Sequence, residues 1–211
     1  MASTSAIGKS VTHEFDAKRK PRIVIGACGS VAAMKFGLVL RAFMEWAEVH
    51  AIVTKPSCHF ISEASIPKGV IVFSDEHEWQ AWKQLGDTAA HIKLANWADI
   101  LLIAPLSAHT LAKIGGGLCD NLLTSIVRSW NYKKPMFVAP SMNDAMWRNP
   151  LTEKHLKRIN ELGITLIPPH ESSDGEYTNT GSMADPSKIY STVRVFYDYN
   201  ILKKKPGVVY C

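Results

Sequence analysis

The stretch Ala139-Pro140-Ser141-Met142-Asn143-Asp144-Ala145-Met146-Trp147 sets an amide and two thioethers just beyond a short apolar run. An α/β protein can hold a flat cofactor against a small substrate at such a place. Taken alone, the Asn could be a turn former and the methionines core filler. Their company points to a site. Upstream lie a glycine-serine turn that ends a strand, His91 before an apolar segment, and Pro105-Leu106-Ser107-Ala108-His109-Thr110 after another strand. His91 is the acid/base candidate, because its imidazole titrates nearest neutrality; a hydrogen-bonded structural histidine would have the same sequence.

Gly26-Ala27-Cys28-Gly29-Ser30 is neither the glycine fingerprint of nicotinamide-binding folds nor a phosphate loop, which would carry a lysine. Gly29 permits a tight turn, while Ser30 and the following backbone N–H groups could meet an anion at a helix N-terminus. Ser30 could equally serve only as a helix cap. Thr54, closing the second strand, could donate its hydroxyl to a cofactor phosphate. Ser107, Ala108 and Thr110, followed by Gly115-Gly116-Gly117, put small groups and N–H donors where a planar ring can approach, which makes them flavin-side candidates; the alternative is an ordinary capped helix. His109 is ambiguous, and Asp120-Asn121 could cap the next helix or reach the pocket. His59, beside Phe60, could contribute to a ring pocket. Cys28 and Cys58 follow strands and could approach a cofactor, or be small buried side chains. Nothing in the spacing suggests a metal site.

The elements that must position these groups are legible as apolar runs. Strands are expected at Arg22 to Ala27, Glu48 to Thr54, Val70 to Phe73, Asp99 to Ala104, Lys134 to Ala139 and Ile164 to Ile167. Helices are expected at Ser30 to Trp46, Asp75 to Lys83, Thr110 to Lys113, Asn121 to Trp130, Thr152 to Leu162 and Pro186 to Tyr199. Strand-helix alternation predicts a three-layer α/β fold, flavodoxin-like or Rossmann-like, with a parallel sheet covered by helices on both faces. Ligands in such folds sit past the carboxyl ends of the strands, where Gly26, Ser30, Thr54, Pro105 and Ala139 fall. Pro168 to Gly181 is too long and polar for a routine connection and could be a substrate lid.

A chain of 211 residues, 46% hydrophobic, can bury a full core in one domain. It is expected to divide into a disordered arm over 1–20, a flavoprotein domain over 21–200 and a tail over 201–211. No apolar run is long enough for a membrane span, and Lys18-Arg19-Lys20 is followed by Pro21 rather than by a signal-peptide core, so a cytoplasmic protein is expected. The formal charge of +5 is modest and much of it sits at the two ends, with no compact basic motif to suggest nucleic acid. Cys28, Cys58, Cys119 and Cys211 lack ligand-like spacing and read as reduced thiols.

Blocks running in one order through the chain resemble the homo-oligomeric flavin-containing cysteine decarboxylases, on the branch of the phosphopantothenoylcysteine decarboxylases and plant halotolerance proteins. They are Gly29-Ser30-Val31-Ala32-Ala33, Asp75-Glu76-His77-Glu78-Trp79, His91-Ile92, Trp97-Ala98-Asp99, Pro105 to Thr110, Gly116 to Leu123 and Pro140 to Trp147. The resemblance implies FMN bound at subunit contacts, usually in a trimer, with Gly29, Ser30, Val31, Thr54, Phe60, Ser107, Ala108, Thr110 and Ala139 on the cofactor side. It implies a phosphorylated, cysteine-containing small-molecule substrate: 4′-phosphopantothenoylcysteine, carried toward 4′-phosphopantetheine in coenzyme A biosynthesis. The cysteine moiety would be oxidised to a thioaldehyde-like species that loses carbon dioxide to give an enethiol. The family's active-site histidine falls on His91, its substrate-binding Asn on Asn143, whose amide would hold the departing carboxylate, and Met146 falls near flavin and substrate.

Two departures qualify the resemblance. Family members that complete the reaction carry a Cys-Gly-Asp stretch before a terminal Gly-X-Met-Ala segment; here Glu171 to Ala184 contains no thiol, and neither serine nor aspartate matches a thiol's acidity and nucleophilicity. His109 stands where the family usually has Asn. Besides the complete decarboxylase, two further readings therefore remain open. One is an enethiol-forming decarboxylase acting on a peptidyl or related cysteine without reduction. The other is a non-enzymatic flavoprotein subunit of a protein phosphatase, for which Lys203-Lys204-Lys205 replaces the acidic tail such a role would favour.

Overall fold

Alternate side chains along the first apolar run go to opposite faces of a sheet: Ile23 and Ile25 to one core, Val24 to the other, all fully buried. In the computed structural model, which describes residues 15, 18–169 and 181–202, this run is strand β1 (Arg22–Ala27). It is followed by β2 (Glu48–Val53), β3 (Ile71–Phe73), β4 (Ile100–Leu106), β5 (Met136–Pro140) and β6 (Thr165–Leu166). They form one six-stranded sheet in the order β3-β2-β1-β4-β5-β6, and every pairing is parallel. This is the strand order of a doubly wound Rossmann-type sheet, whose direction of growth reverses between β1 and β4.

Among the described residues, eight α-helices complete the layers: α1 (Phe36–Met44), α2 (Asp75–Ala81), α3 (Ala90–Trp97), α4 (Ala108–Gly116), α5 (Leu122–Ser129), α6 (Asp144–Trp147), α7 (Pro150–Glu161) and α8 (Pro186–Leu202). Phe36, Leu40 and Phe43 of α1 and Ile189 and Val193 of α8 cover one face. Leu94 of α3, Leu111 of α4, Leu123 and Ile126 of α5 and Ile159 of α7 cover the other. Both faces being covered explains why β4 is buried at every position. Each large aliphatic side chain so buried stabilises the fold by about 1.5–3 kcal/mol before the entropy cost of ordering the chain.

The expected helix at Ser30 to Trp46 forms as a 3-10 segment, Val31–Lys35, followed by α1. Gly37 explains the close packing at the start of α1, since a Cβ there would meet the Ser65 carbonyl. The short helix expected at Thr110 to Lys113 extends over the whole of α4, and it ends at Gly117, whose φ of 74° suits a left-handed helix cap. Helix α3 carries no expectation from the sequence, because its N-cap position is Ala89, which makes no side-chain cap. Lys134, half-buried, closes its far end by donating to the carbonyls of Ala95 and Ala98 at 3.0 and 2.7 Å. Burial pushes that ammonium below its ordinary pKa.

The packed chain begins ahead of Pro21. Phe15 is buried edge-on to Tyr197 at 4.9 Å, and Arg19 makes two hydrogen bonds to Asp99 at 2.7 and 2.9 Å. Asp99 also accepts the Arg22 N–H at 2.9 Å, so one carboxylate locks the start of β1 beside the start of β4. The rest of the expected arm, the tail beyond 202 and most of the expected lid, 170–180, lie outside the described residues. No helix is long and apolar enough to cross a membrane, and no group of His, Cys, Asp or Glu could hold a metal ion, among the described residues.

Candidate functional site

Where β1 and β4 diverge, their loops leave a crevice that other elements then wall in. A cleft of about 840 Å³ opens there, lined by Gly29, Ser30, Val31, Ala32, Met34 and Lys35 after β1, Phe60 after β2, and Ser107, Ala108 and His109 after β4. Ser141, Met142, Asn143 and Met146 after β5, with Ser182 and Met183 from the segment before α8, complete it. A smaller cavity of about 240 Å³ shares Gly29, Ser107 and His109 with the cleft and adds Thr54, Pro56, Asp75, Thr110, Lys113, Asp120 and Asn121. The two therefore adjoin across those three residues, an apolar, methionine-rich cleft beside a polar, hydroxyl-lined cavity.

Each wall follows from local chain chemistry. Ser30 caps the 3-10 segment, and its hydroxyl donates to Ser141 Oγ at 2.8 Å. Ser107 caps α4, accepting the Thr110 N–H at 3.3 Å, so the N-terminus of a nine-residue helix faces the site. Asn143 caps α6: its Oδ1 accepts the Met146 N–H at 2.8 Å. That bond fixes the amide the other way round, with Nδ2 free of partners among the described residues and available as a donor. Met142 is held from behind by its backbone N–H bond to the Gly181 carbonyl at 2.9 Å.

Charge is distributed unevenly. Lys35 reaches Asp185 at 3.5 Å on the rim of the cleft. Lys113, in the polar cavity, is paired with Asp120 at 2.6 Å, and that contact holds the Asp120 carboxyl below its ordinary range. Asn121 caps α5 by accepting the Thr124 N–H, so Asp120 and Asn121 serve a capping and pairing role while also lining the cavity. Cys28 is fully buried, and burial pushes its thiol pKa up; it packs in the core and lines neither cavity.

Of the residues singled out by sequence, Gly29, Ser30, Val31, Phe60, Ser107, Ala108, Asn143 and Met146 come together on the cleft, and Thr54 and Thr110 on its polar extension. Two need correction, and a third stands apart from the rest. The Thr54 hydroxyl proton is committed to the Ala27 carbonyl at 3.1 Å, because the strand end leaves that oxygen in reach, so Thr54 presents an oxygen lone pair rather than a donor. Ala139 lies inside β5 with its side chain in the core, and only its backbone borders the loop that builds the site. His91 does not line the cleft at all. It sits on α3 with Nδ1 held by Glu78 Oε1 at 2.6 Å.

Met34, Ser141, Ser182 and Met183 line the cleft without being among the candidates the sequence offers. Ser141 and Met183 sat inside quoted motifs. Met34 follows the Gly-Ser turn by one helical turn and could have been found by that spacing.

The donor set suits a flavin mononucleotide. Hydroxyls and the N-terminus of α4 in the polar part are what a phosphate requires, and Ala32, Met34, Phe60, Ala108, Met142 and Met146 are what a flat ring requires. The family model described as Flavoprotein matches residues 11–197. The chain is 58% identical over 187 residues to phosphopantothenoylcysteine decarboxylase HAL3 of Malus domestica, covering 88% of this chain and 87% of that one. Among solved structures it resembles, at 58% identity and a TM-score of 0.82, a PPC decarboxylase mutant with serine in place of a cysteine, complexed with pantothenoylaminoethenethiol; the match covers 85% of this chain and 100% of that one. The FMN binding protein AtHal3 matches at the same identity and TM-score over 86% and 98% of the two chains.

Proposed function

Since the chain belongs to the flavoprotein family, we propose that it is an FMN-dependent carboxy-lyase that decarboxylates 4′-phosphopantothenoylcysteine on the route to 4′-phosphopantetheine and coenzyme A. The observation that carries this reading is the fixed orientation of Asn143. Its capping bond to Met146 turns a two-proton donor outward beside an apolar wall, which is what a substrate carboxylate needs to be held while water is kept away.

Gly29, Ser30, Ser107 and Thr110 would hold the phosphate end of FMN, and Ala108, Phe60 and Met142 would flank its ring. FMN supplies, when bound, the two-electron acceptor that a cysteine side chain needs before its carboxylate can leave. The chain's own residues do the rest. Asn143 Nδ2 orients the carboxylate, Met146 and Met183 exclude water, and Lys35, on the rim, offers a cation to an anionic substrate tail.

His91 would hold or move the proton at the reacting cysteine. Because it lies away from the cleft of its own chain, the reading requires a second copy to present it, and we place the site at a contact between copies, as in a homotrimer. Desolvation of the carboxylate as that contact closes favours release of neutral carbon dioxide.

A second reading is favoured by one specific observation: Glu171 to Ala184 contains no cysteine, and the serine mutant among the solved relatives is the one complexed with an ethenethiol. On that reading the chain releases an enethiol rather than the reduced thiol. Anaerobic incubation of the FMN-loaded protein with 4′-phosphopantothenoylcysteine, followed by flavin absorbance and product mass, separates the two. Flavin reoxidation with 4′-phosphopantetheine establishes the complete reaction, and a product two hydrogens lighter with bleached flavin establishes the truncated one. Absence of both bleaching and product refutes decarboxylation of this substrate.

A further inference from the structure

We propose that Glu78 is a positioning residue for His91: it places the imidazole proton on Nδ1 and leaves Nε2 as the nitrogen that serves the reaction. The inference rests on the reading of His91 as the proton-handling group.

Glu78 lies in the first turn of α2, and both of its oxygens are spent on one residue. Oε1 meets His91 Nδ1 at 2.6 Å, and Oε2 accepts the His91 backbone N–H at 3.0 Å. A carboxylate only accepts, so Nδ1 must carry the hydrogen, and in the neutral ring the lone pair falls on Nε2. The two side chains are 17% and 26% exposed, which shields the bond from water and strengthens it. Nε2 has no hydrogen-bond partner among the described residues.

The backbone bond makes the arrangement rigid. His91 is the second residue of α3, where a helix has an N–H to satisfy, and Ala89 offers no side chain to do so. Glu78 supplies the missing acceptor from another helix. Rotation of the ring therefore breaks a bond to the same carboxylate that anchors the start of α3. The other charged groups on the helices packed around α3 are Asp75, Glu76 and His77 of α2 and Arg128 of α5, with Lys93 on α3 itself. None of them hydrogen-bonds the His91 ring: Asp75 Oδ1 takes the Leu122 N–H and His77 Nδ1 pairs with Ser74. The tautomer is thus dictated by Glu78.

Glu78→Gln tests this directly. The backbone N–H of His91 can only donate, so it captures the amide oxygen and turns the NH2 toward Nδ1, which must then accept; the proton moves to Nε2. In FMN-loaded protein labelled with 15N-histidine, the protonated ring nitrogen is expected to switch from Nδ1 to Nε2. With it, kcat for decarboxylation should fall at least about tenfold, while KM and the thermal midpoint stay near wild type. Unchanged kcat, or a fall in kcat with the proton still on Nδ1, overturns the proposal. Should the variant fail to fold, the wild-type spectrum decides: a neutral His91 with its proton on Nε2 overturns it, and Nδ1–H supports it. His91→Asn separates the premise from the inference. Full turnover in that variant refutes His91 as the proton-handling group, whereas lost turnover there with normal kcat in Glu78→Gln refutes only the role of Glu78.

Discussion

The hydroxyls of Ser30 and Ser141 lie 2.8 Å apart although 111 positions separate them in the chain. Ser30 follows β1 and Ser141 follows β5, so the bond spans the end of β4 and ties two walls of the cleft together. Ser141→Ala removes that bond and leaves the Ser30 cap intact. It should cost about 0.5–1.5 kcal/mol in denaturant unfolding and weaken retention of FMN through dialysis. Unaltered FMN retention would mean that the two walls hold their spacing without it.

Asn143→Asp keeps the cap, since Asp and Asn serve equally at that position. The thermal midpoint should therefore stay close to wild type. The donor that faces the substrate becomes a second carboxylate, and loss of a hydrogen bond to a charged group, about 1.5–3 kcal/mol, lowers kcat/KM by at least about tenfold. Substrate-dependent flavin bleaching is the assay, and bleaching at the wild-type rate would remove Asn143 from the site.

Gly181 has no room for a methyl group. A Cβ there would meet the Met142 carbonyl oxygen and come within 3.2 Å of Trp147 Cβ. Gly181→Ala must therefore displace the backbone that presents Asn143. Destabilisation of about 1–3 kcal/mol and a lowered decarboxylation rate are expected, read by thermal unfolding and product formation on the same preparation. Wild-type rates with wild-type stability would show that the segment relaxes without cost.

His50 predicts a pH dependence of stability. Its ring stacks on Trp97 at 3.7 Å and 4°, and its buried Nδ1 has no hydrogen-bond partner among the described residues. Burial, outweighing the nearby Glu48, pushes its pKa below the ordinary value of 6.5. The unfolded chain therefore takes the proton first, and the fold loses stability as pH falls below about 6.5 until the folded-state pKa is passed. His50→Phe keeps a ring on Trp97 and removes the titration. Urea midpoints measured on either side of that window should drop less on acidification in the variant, and equal drops would exclude His50 as a source.

Much of the framework is legible in the sequence. The run Ile100 to Leu106 is apolar throughout, and only a strand covered on both faces buries every position of such a run. Alternation of such runs with amphipathic segments leaves parallel pairing as the economical arrangement. In a parallel sheet all strand ends point one way, so Gly29, Ser30, Ser107 and Asn143 had to gather on one edge. Helix caps at Ser30, Ser107, Asn121 and Asn143 are also local, depending on residues within three positions of each.

What only the tertiary structure decided are the pairs that no local rule connects. Helix α3 has no capping signal of its own because its acceptor, Glu78, comes from a separate helix, 13 positions away. The same carboxylate holds the ring of His91, which lines neither cavity of its own chain, a placement invisible to any reading of spacing. Arg19 with Asp99 and Ser30 with Ser141 are joined across 80 and 111 positions. Residue types and periodicity specify which segments become strands and helices, and so which edge of the sheet carries a site. Which side chains meet on that edge depends on long-range packing, whose geometry exists only once the sheet has formed.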